Sequence, residues 1–380
     1  MFSFSSPQSI HFGRGQRRQA AALAATFGGA VLVVHGANAE RAQWLVTACQ
    51  EAGLTTQTIA CPTEPALHDI EAALTGLRAA APAVVIALGG GSVMDFAKSL
   101  AALIRCDGAP IDYLEIVGTG RALDNPPLPM IALPTTAGTG SEVTKNAVIA
   151  VPARGLKVSL RDPRMIPQVA IVDPDLMQGA PKRVALCAGL DAVTQVIEPY
   201  LSIKANPMTD ALCRAAIPVG LSVLRDVVET DCARGWDSLA WVSTCGGLAL
   251  ANAGLGAVHG FAGVIGGKTN APHGEICGCL LPSVLGSHLR HAQPQTEIAG
   301  RLEWVLDLIN THFGATQNGN GLEGLRDWSE QMGLRGLKEM GLSEADHSDV
   351  VAAAAQASSM KGNPFPLSQE ALFEILSSAA

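Results

Sequence analysis

One aspartate and two histidines are the residues of this sequence best suited to hold a metal ion. Asp191 stands four residues before Gln195 in a segment of helical period, so both side chains share one face of a predicted helix. His259 and His273 each lie among small residues, with few other titratable groups nearby. Two imidazoles and a carboxylate are the minimum of an N/O site for Fe(II) or Zn(II). Taken singly, each histidine more often serves as a core or turn residue, and Asp191 as a structural carboxylate.

A run of three glycines, 89–91, follows the apolar segment 84–88 and could bind a phosphate group. Ser92 and Asp95 have the spacing of a capping box, which predicts Ser92 as the N-cap of the next helix. Residues without a Cβ let a pyrophosphate approach the free backbone N–H groups at the positive end of a helix. The pattern differs from the G-x-G-x-x-G fingerprint because Met94 stands at the third glycine position. A plain strand-to-helix turn is the alternative interpretation.

A second polar turn, within 133–144, contains four threonines, a serine and two glycines directly after an apolar run. Its hydroxyl groups could line a cofactor. Open α/β sheets bind ligands at the carboxyl ends of their strands, so the two turns predict one shared crevice. A polar surface loop is the alternative.

The elements that must position these residues differ between the two halves of the chain. Before residue 180, short apolar runs alternate with helical stretches, which predicts an α/β domain with a mostly parallel sheet. Beyond it, Ala/Leu/Val-rich stretches with helical period predict an all-α domain, interrupted by a loop at 313–321. An Asp/Pro/Gly-rich segment at 173–181 marks the boundary. We therefore expect one domain of residues 1–180 and a second of residues 181–380.

Length and composition exclude several classes of protein. The 380 residues exceed what one hydrophobic core usually fills, and 48% apolar against 16% charged residues excludes disorder. The formal net charge is −8 and the largest basic group is Arg14, Arg17 and Arg18, which argues against a nucleic-acid surface. Every apolar run is shorter than the roughly 20 residues of a membrane span. The N-terminus has no signal-peptide pattern, so we expect a cytoplasmic protein with small-molecule partners.

The remaining cysteines, histidines and buried acids have simpler interpretations. Nine cysteines are scattered without a CxxC pair, which predicts reduced thiols. Cys277 and Cys279 have no adjacent basic residue, which argues against a nucleophilic thiolate. The spacing of His288 and His291 is poor for shared ligation and predicts two surface histidines. Glu198 could support a metal ligand or form a buried cap or ion pair.

Seven segments together resemble the iron-containing (group III) alcohol dehydrogenases, which have a dehydroquinate-synthase-like fold. The segments are 89–95 (GGGSVMD), 134–144 (PTTAGTGSEVT), 173–176 (DPDL), 189–191 (GLD), 259–260 (HG), 272–274 (PHG) and 363–364 (NP). The resemblance implies an N-terminal dinucleotide-binding domain, a C-terminal helical domain and an active site in the cleft between them. It also implies a homodimer.

The resemblance assigns roles to individual residues. Asp191, His259 and His273 fall on the metal ligands and therefore on the catalytic positions. Gln195 falls where the family has a fourth ligand, a histidine. A glutamine oxygen is a weaker donor than an imidazole, so weaker metal binding is expected, with Fe or Zn as the ion. The predicted contacts with the nicotinamide dinucleotide are Gly36, Gly90, Gly91, Ser92, Asp95, Thr135, Thr136, Thr144, Lys157 and Leu176.

Two further departures from the family pattern change the expected pockets. Gly263 stands where the family has another histidine, four residues after His259. Gly36 stands where many NAD-selective members have an aspartate that bonds the ribose hydroxyls and repels a 2′-phosphate. Arg41 is near enough in sequence to pair with such a phosphate. The expected cofactor is therefore NAD or NADP.

The implied activity is reversible hydride transfer between an alcohol and a nicotinamide, with a divalent metal as Lewis acid on the substrate oxygen. A metal-independent reductase similar to the maleylacetate reductases is an alternative that Gln195 and Gly263 favour. A lyase similar to dehydroquinate synthase would need a basic phosphate pocket, and the segments of the expected cleft contain few lysines or arginines. A binding protein without turnover is a fourth interpretation. The substrate expected from the first is a small alcohol or aldehyde.

Overall fold

The computed structural model describes residues 1–314 and 320–379, which divide into two compact units. The first unit, residues 5–136 with 140–178, is an α/β domain. Its strands are β1 (Ser9–Phe12), β2 (Ala30–His35), β3 (Thr55–Ala60), β4 (Val84–Gly89), β5 (Met130–Pro134), β6 (Asn146–Val151), β7 (Leu156–Arg161) and β8 (Val169–Val172). Its helices are α1 (Ala20–Ala25), α2 (Glu40–Glu51), α3 (Leu67–Leu77) and α4 (Gly91–Leu103).

Six of these strands form a parallel sheet in the order β1-β8-β5-β4-β2-β3, and β6 and β7 pair as an antiparallel hairpin. Successive side chains of a strand point to opposite faces. Leu32 and Val85 accordingly join one core with α3 and α4, whereas Val33 and Ile86 join another with α1 and α2. Burial on both faces explains the continuous apolar runs. The prediction of an α/β domain with a mostly parallel sheet is confirmed.

The prediction that Ser92 caps the helix after β4 is wrong. α4 begins at Gly91 with Gly90 as its N-cap, and Ser92 lies inside the first turn. Gly90 is extended, and a Cβ there would lie only 3.2 Å from the hydroxyl oxygen of Thr136. The chain therefore enters the helix two residues before Ser92, at a position where a glycine fits most easily beside the end of β5.

The second unit comprises residues 1–4, 137–139 and the chain from 179 on, and its described part contains no strand. Its helices are α5 (Lys182–Leu201), α6 (Pro207–Thr230), α7 (Ala233–Ala253), α8 (Ala257–Thr269), α9 (His273–His291), α10 (Glu297–Phe313), α11 (Gly321–Gln331), α12 (His347–Gln356) and α13 (Gln369–Ser378). The prediction of an all-α second half is confirmed. The loop predicted at 313–321 is helical at both ends, and its middle, 315–319, lies outside the described residues.

α5 is the core helix of the helical unit. It packs against α6, α7 and α9, and its residues are buried almost without interruption from Ala185 to Leu201. By length and composition this helix could cross a membrane, but 89% of its apolar segment is buried inside the protein. α7 and α8 together pass the same test, although they are bent by 98° relative to each other. The apolar character of α5 therefore reflects its place in a core.

Candidate functional site

Four potential metal ligands from three helices converge in the helical unit. Asp191 projects from α5, His259 from α8, and His273 and Cys277 from α9. One ligand atom of each side chain lies within 4.8 Å of the other three. The structure thus brings together Asp191, His259 and His273, the three residues that both the spacing and the resemblance single out. It adds a thiol that neither of them predicts as a ligand.

Two glycines bring α9 close to α5 at this point. A Cβ at Gly274 would lie 2.4 Å from a backbone carbonyl oxygen of α5, and a Cβ at Gly278 would lie 2.5 Å from a side chain of α5. Because the two glycines are four residues apart, they lie on one face of α9. His273 and Cys277 precede them by one residue each and share the adjacent face. The close helix contact therefore holds both side chains beside Asp191.

His259 is oriented by a carboxylate behind it. Its Nδ1 lies 2.6 Å from Oε2 of Glu198, and Oε1 of Glu198 accepts a hydrogen bond from the Val258 N–H at 2.7 Å. Because a carboxylate only accepts, Nδ1 carries the proton, and Nε2 faces Asp191 Oδ1 at 3.4 Å. A carboxylate in this position is the usual support of a metal-binding imidazole, since it fixes the tautomer and the ring orientation.

The ligand atoms are spaced for a shared cation rather than for bonds to one another. Asp191 Oδ1 lies 3.4 Å from His259 Nε2 and 3.9 Å from His273 Nε2, both longer than an N–H···O hydrogen bond. Oδ1 is buried and has no hydrogen-bond partner among residues 1–314 and 320–379. A buried carboxylate oxygen without a partner is costly unless a cation compensates it. The residues therefore fit a divalent metal ion.

The electrostatics of the cluster also favour a cation. Burial acts to raise the pKa of Asp191, but the contacts with His259 and His273 outweigh it and lower that pKa. Burial acts to lower the pKa of His259, but Cys277 and Glu198 outweigh it and raise that pKa well above its usual value. The same competition, with Cys277 as the main opposing group, raises the pKa of His273 to about 9. Both imidazoles therefore attract protons at a place where a metal ion would compete with them.

Gln195, at the fourth ligand position that the resemblance implies, is tied to the main chain. Its Nε2 donates to the carbonyl oxygen of Thr139 at 2.6 Å, and the residue is 2% exposed. Thr139 belongs to the short segment 137–139, which groups with the helical unit. The amide nitrogen of Gln195 therefore holds this segment, and a ligand role for its oxygen stays a prediction. Gly263 is open, because a Cβ there would meet no heavy atom within 4 Å.

Most of the predicted cofactor contacts lie at the carboxyl ends of neighbouring strands in the α/β unit. They are Gly36 after β2, Gly90, Gly91 and Ser92 after β4, Thr135 and Thr136 after β5, and Leu176 after β8. β2 and β4 are neighbours in the sheet, and the strand order reverses between them. Open α/β sheets bind their ligands outside the carboxyl ends of the strands at such a switch point. The contacts themselves stay predictions.

Three other predicted cofactor contacts are engaged within the α/β unit. Thr144 is 2% exposed, and its Oγ1 accepts a hydrogen bond from the buried Lys98 Nζ at 2.8 Å. The carboxylate of Asp95 accepts a hydrogen bond from the Val148 N–H at 3.1 Å. Lys157 forms an ion pair with Glu64, in the segment between β3 and α3. Lys98 and Asp95 thus connect α4 to the chain that follows β5.

Two buried groups of the helical unit are not predicted by their sequence context. A basic neighbour in sequence would indicate a nucleophilic thiolate, and Cys277 has none. Its spacing of four from His273 is instead the signal for a metal ligand. The prediction that His288 lies at the surface is wrong, because it is 3% exposed and its Nε2 lies 3.1 Å from Asn363 Oδ1. It follows Val284 by one turn on the buried face of α9, whereas His291 is exposed as expected.

Two family models together cover nearly the whole chain. The model described as iron-containing alcohol dehydrogenase matches residues 7–174, and that of the C-terminal part of the Fe-containing alcohol dehydrogenase family matches residues 185–380. The chain belongs to the iron-containing alcohol dehydrogenase family. The resemblance stated from the sequence motifs is thereby confirmed.

Two relatives and one solved structure show how far the similarity extends. Alcohol dehydrogenase 4 of Saccharomyces cerevisiae is 31% identical over 83% of this chain and 80% of that protein. Long-chain-alcohol dehydrogenase 1 of Geobacillus thermodenitrificans is 40% identical over 59% of this chain, and the match spans 56% of that relative's length. The structure of sulfoacetaldehyde reductase from Bifidobacterium kashiwanohense in complex with NAD+ has a TM-score of 0.84 at 27% identity, covering 100% of this chain and 98% of that one.

Proposed function

We propose that this protein is an NAD(P)-dependent alcohol dehydrogenase that also acts in reverse as an aldehyde or ketone reductase. The observation that carries the proposal is the convergence of Asp191, His259 and His273 with a thiol in a chain of this family. A divalent metal ion held there supplies Lewis-acid polarisation of a substrate oxygen. In the oxidation, a bound nicotinamide dinucleotide would accept the hydride of the alcohol carbon at C4, while the hydroxyl proton would go to solvent and the C=O bond would form.

The protein's own contribution is to hold the donors in a buried and negatively charged place. Asp191 and His259 are 2% and 7% exposed, so water is largely excluded and charge interactions are strong. Glu198 keeps the His259 proton on Nδ1 and leaves Nε2 free to donate its electron pair. The packing of α9 against α5 fixes the separation of His273 from Asp191.

The start of α4 supports the cofactor proposal. Gly90, the N-cap, contributes no side-chain hydrogen bond, so the first backbone N–H groups of the helix are available to an anion. They lie at the positive end of the helix, which suits a pyrophosphate. Gly36 offers no carboxylate against a 2′-phosphate, and Arg41 is exposed in the first turn of α2. We propose that the protein accepts NADP as well as NAD.

A metal-independent reductase is a second candidate, and the observation that favours it is the state of Gln195. Its amide nitrogen is committed to the Thr139 carbonyl, in place of the imidazole that the family uses as a fourth ligand. Activity that persists after complete removal of metal would support this candidate over the first.

The test is steady-state turnover by the protein purified without oxygen, stripped with a chelator and reloaded with Zn2+ or Fe2+. We expect reduction of NAD+ or NADP+ by primary and secondary alcohols, loss of that activity on stripping, and recovery on reloading. Asp191→Asn should abolish the metal-dependent activity, whereas Asp226→Asn, at an exposed position on α6, is the matched control. Absence of turnover with every alcohol and aldehyde tried, with metal and both cofactors supplied, would overturn the proposal.

We further propose that the enzyme is a cytoplasmic homodimer that binds no nucleic acid and no membrane. The support is the family pattern together with the net charge of −8. Sedimentation of the purified protein measures the oligomeric state, and a monomer at micromolar concentration would contradict the proposal.

A further inference from the structure

The proposed metal centre has three donors from the resemblance and lacks the histidine that is the family's fourth ligand. Gln195 stands in its place, but the amide nitrogen of Gln195 donates to the Thr139 carbonyl oxygen at 2.6 Å. Cys277 offers a different fourth donor from α9. It is fully buried, and its Sγ lies between the two imidazoles, 3.6 Å from His273 Nε2 and 3.8 Å from His259 Nε2.

These separations match those of ligands that share one tetrahedral ion. With zinc bonds of about 2.0–2.1 Å to nitrogen or oxygen and about 2.3 Å to sulfur, tetrahedral ligands lie about 3.4 Å apart for N and O and about 3.6 Å apart for S and N. The two S···N distances above are 3.6 and 3.8 Å, and the O···N distances from Asp191 are 3.4 and 3.9 Å. Four of the six donor separations are therefore close to those of a tetrahedral site, and the other two are below 4.8 Å.

Hydrogen bonding alone does not account for the arrangement. Sγ is nearly equidistant from both imidazoles, although a thiol can donate its proton to only one of them and is a weak acceptor for an N–H of the other. Asp191 Oδ1 faces the same point, is buried, and accepts no hydrogen bond in the described part of the chain. The unpartnered oxygen is independent of the cysteine, and it also indicates that the point between the four side chains suits a cation.

We propose that Cys277 is the fourth ligand, as a thiolate, so that Asp191, His259, His273 and Cys277 together form an O/N/N/S site that selects Zn(II) over Fe(II). This inference rests on the proposed function in that it concerns the metal of the same active site. On binding, the S–H bond is lost, the proton leaves to solvent, and sulfur donates an electron pair to the metal without any change of oxidation state.

The predicted selectivity follows from donor type. A thiolate is a soft ligand and a common partner of zinc in tetrahedral sites with nitrogen and sulfur. Replacing an imidazole on α5 by a thiolate on α9 therefore changes a nitrogen-rich donor set into one that zinc prefers. Gln195 then does not need to bind the metal. Its amide instead donates a hydrogen bond to the 137–139 segment.

The first experiment needs no variant. X-ray absorption at the zinc edge of the zinc-loaded wild-type protein reports the donor atoms directly. We expect one sulfur at about 2.3 Å together with nitrogen or oxygen neighbours at about 2.0–2.1 Å. A shell that contains no sulfur would overturn the proposal.

The second experiment uses Cys277→Ser with Cys279→Ser as the matched control. Cys279 lies two residues further along α9, half-buried, with its thiol directed to the Ala379 carbonyl. Cobalt(II) loaded into the wild type and into Cys279→Ser should give the near-ultraviolet thiolate-to-cobalt absorption band, and Cys277→Ser should lack it. Cys277→Ser should also bind Zn2+ at least tenfold more weakly in competition with a chromophoric chelator. An unchanged cobalt spectrum or zinc affinity in Cys277→Ser would contradict the assignment.

Failure of this inference and failure of the proposed function are distinguishable. Both spectroscopic readouts measure ligation and require no turnover. A sulfur-ligated metal in a protein that oxidises no alcohol would keep the ligand assignment and refute the activity. Metal-dependent alcohol oxidation with no sulfur among the metal's neighbours would keep the activity and refute the ligand assignment.

Discussion

A proton on Nε2 of His259 would occupy the lone pair that a metal ion needs. The group beside Nδ1 therefore decides whether His259 can bind a metal. That group is Glu198, whose two oxygens accept hydrogen bonds from Nδ1 of His259 and from the Val258 N–H. The sequence shows only that Glu198 follows Gln195 by three residues, which is compatible with a support role or with an ion pair. Which of the two roles Glu198 has depends on how the start of α8 packs against α5, and the sequence alone does not show this packing.

Glu198→Gln should weaken metal binding although it barely changes the shape of the side chain. The amide oxygen can still accept from Val258, but the amide NH2 then faces Nδ1 of His259 and donates to it. His259 would move its proton to Nε2 and lose its free donor. We expect a rise in the zinc dissociation constant of about 10–100-fold, measured by chelator competition.

The matched control for that substitution is Glu229→Gln, an exposed glutamate on α6 whose Oε1 accepts a hydrogen bond from the Trp328 indole. It should leave the zinc affinity unchanged. Equal affinities for Glu198→Gln and the wild type would show that the carboxylate does not set the His259 tautomer.

At the scale of the elements, the position of α9 against α5 depends on residues that have no side chain. Gly274→Ala would place a methyl group 2.4 Å from a backbone oxygen of α5, and a backbone atom cannot rotate away. We expect a loss of at least about 2 kcal/mol in the free energy of unfolding, measured in urea, together with weaker zinc binding. The second effect follows because His273 and Cys277 move with the helix.

Gly263→Ala is the matched control, because it is also a helical glycine of this unit but has no neighbour within 4 Å of the added Cβ. It should be neutral or stabilise the protein by up to about 1 kcal/mol, as alanine favours the helix. A stability loss of the same size at both positions would refute the argument from helix contact.

Acidification should destabilise the helical unit through His288. Burial lowers the pKa of this residue to about 4, partly offset by Glu198 and Asn363, so the folded protein holds it neutral. An unfolded chain binds that proton already below about pH 6.5, so stability is full above this pH and is lost as the pH falls towards 4. At about 1.4 kcal/mol per pKa unit, the loss at pH 4 is roughly 3 kcal/mol.

The pH dependence can be measured by urea unfolding at pH 7 and pH 4.5 for the wild type, His288→Asn and, as control, His291→Asn. The first variant should show a clearly smaller loss of stability on acidification than the wild type, and the exposed control should match the wild type. A pH slope that is the same in all three proteins would show that His288 does not titrate between these states.

The same helices show what periodicity can and cannot predict. Apolar runs buried on both faces are enough to identify the parallel sheet, and helical period identifies the second unit, because each depends on neighbours within the segment. The start of α4 depends on the approach of Thr136 to Gly90, and the burial of His288 on the face that α9 turns inward. Cys277 has a sequence signal only in its spacing of four from His273, because its other partners come from α5 and α8. Contacts between separate segments thus decide the positions at which the sequence-based predictions fail.

At the scale of the whole molecule, the proposed metal ligands and the predicted cofactor contacts belong to different units. The four proposed ligands lie in the helical unit, and the turns after β2 and β4, which hold the predicted contacts Gly36, Gly90, Gly91 and Ser92, lie in the α/β unit. A ligand that binds only the folded state stabilises the structure that surrounds it. Zinc and the dinucleotide should therefore each stabilise a different part of the structure.

Hydrogen exchange followed by mass spectrometry can detect these local changes of stability in the full-length protein. Zinc alone should slow exchange in the first turns of α8 and α9, because its ligands His259 and His273 lie there, and in α5 around Asp191. NADH alone should slow exchange at the start of α4, where the Gly90 cap leaves N–H groups for the pyrophosphate. Asp191→Asn should remove the zinc effect and keep the NADH effect, which separates a lost ligand from a misfolded chain. If zinc instead protects the start of α4 while α8 and α9 stay unchanged, the metal does not bind where the four donor atoms converge, and the assignment of the centre fails.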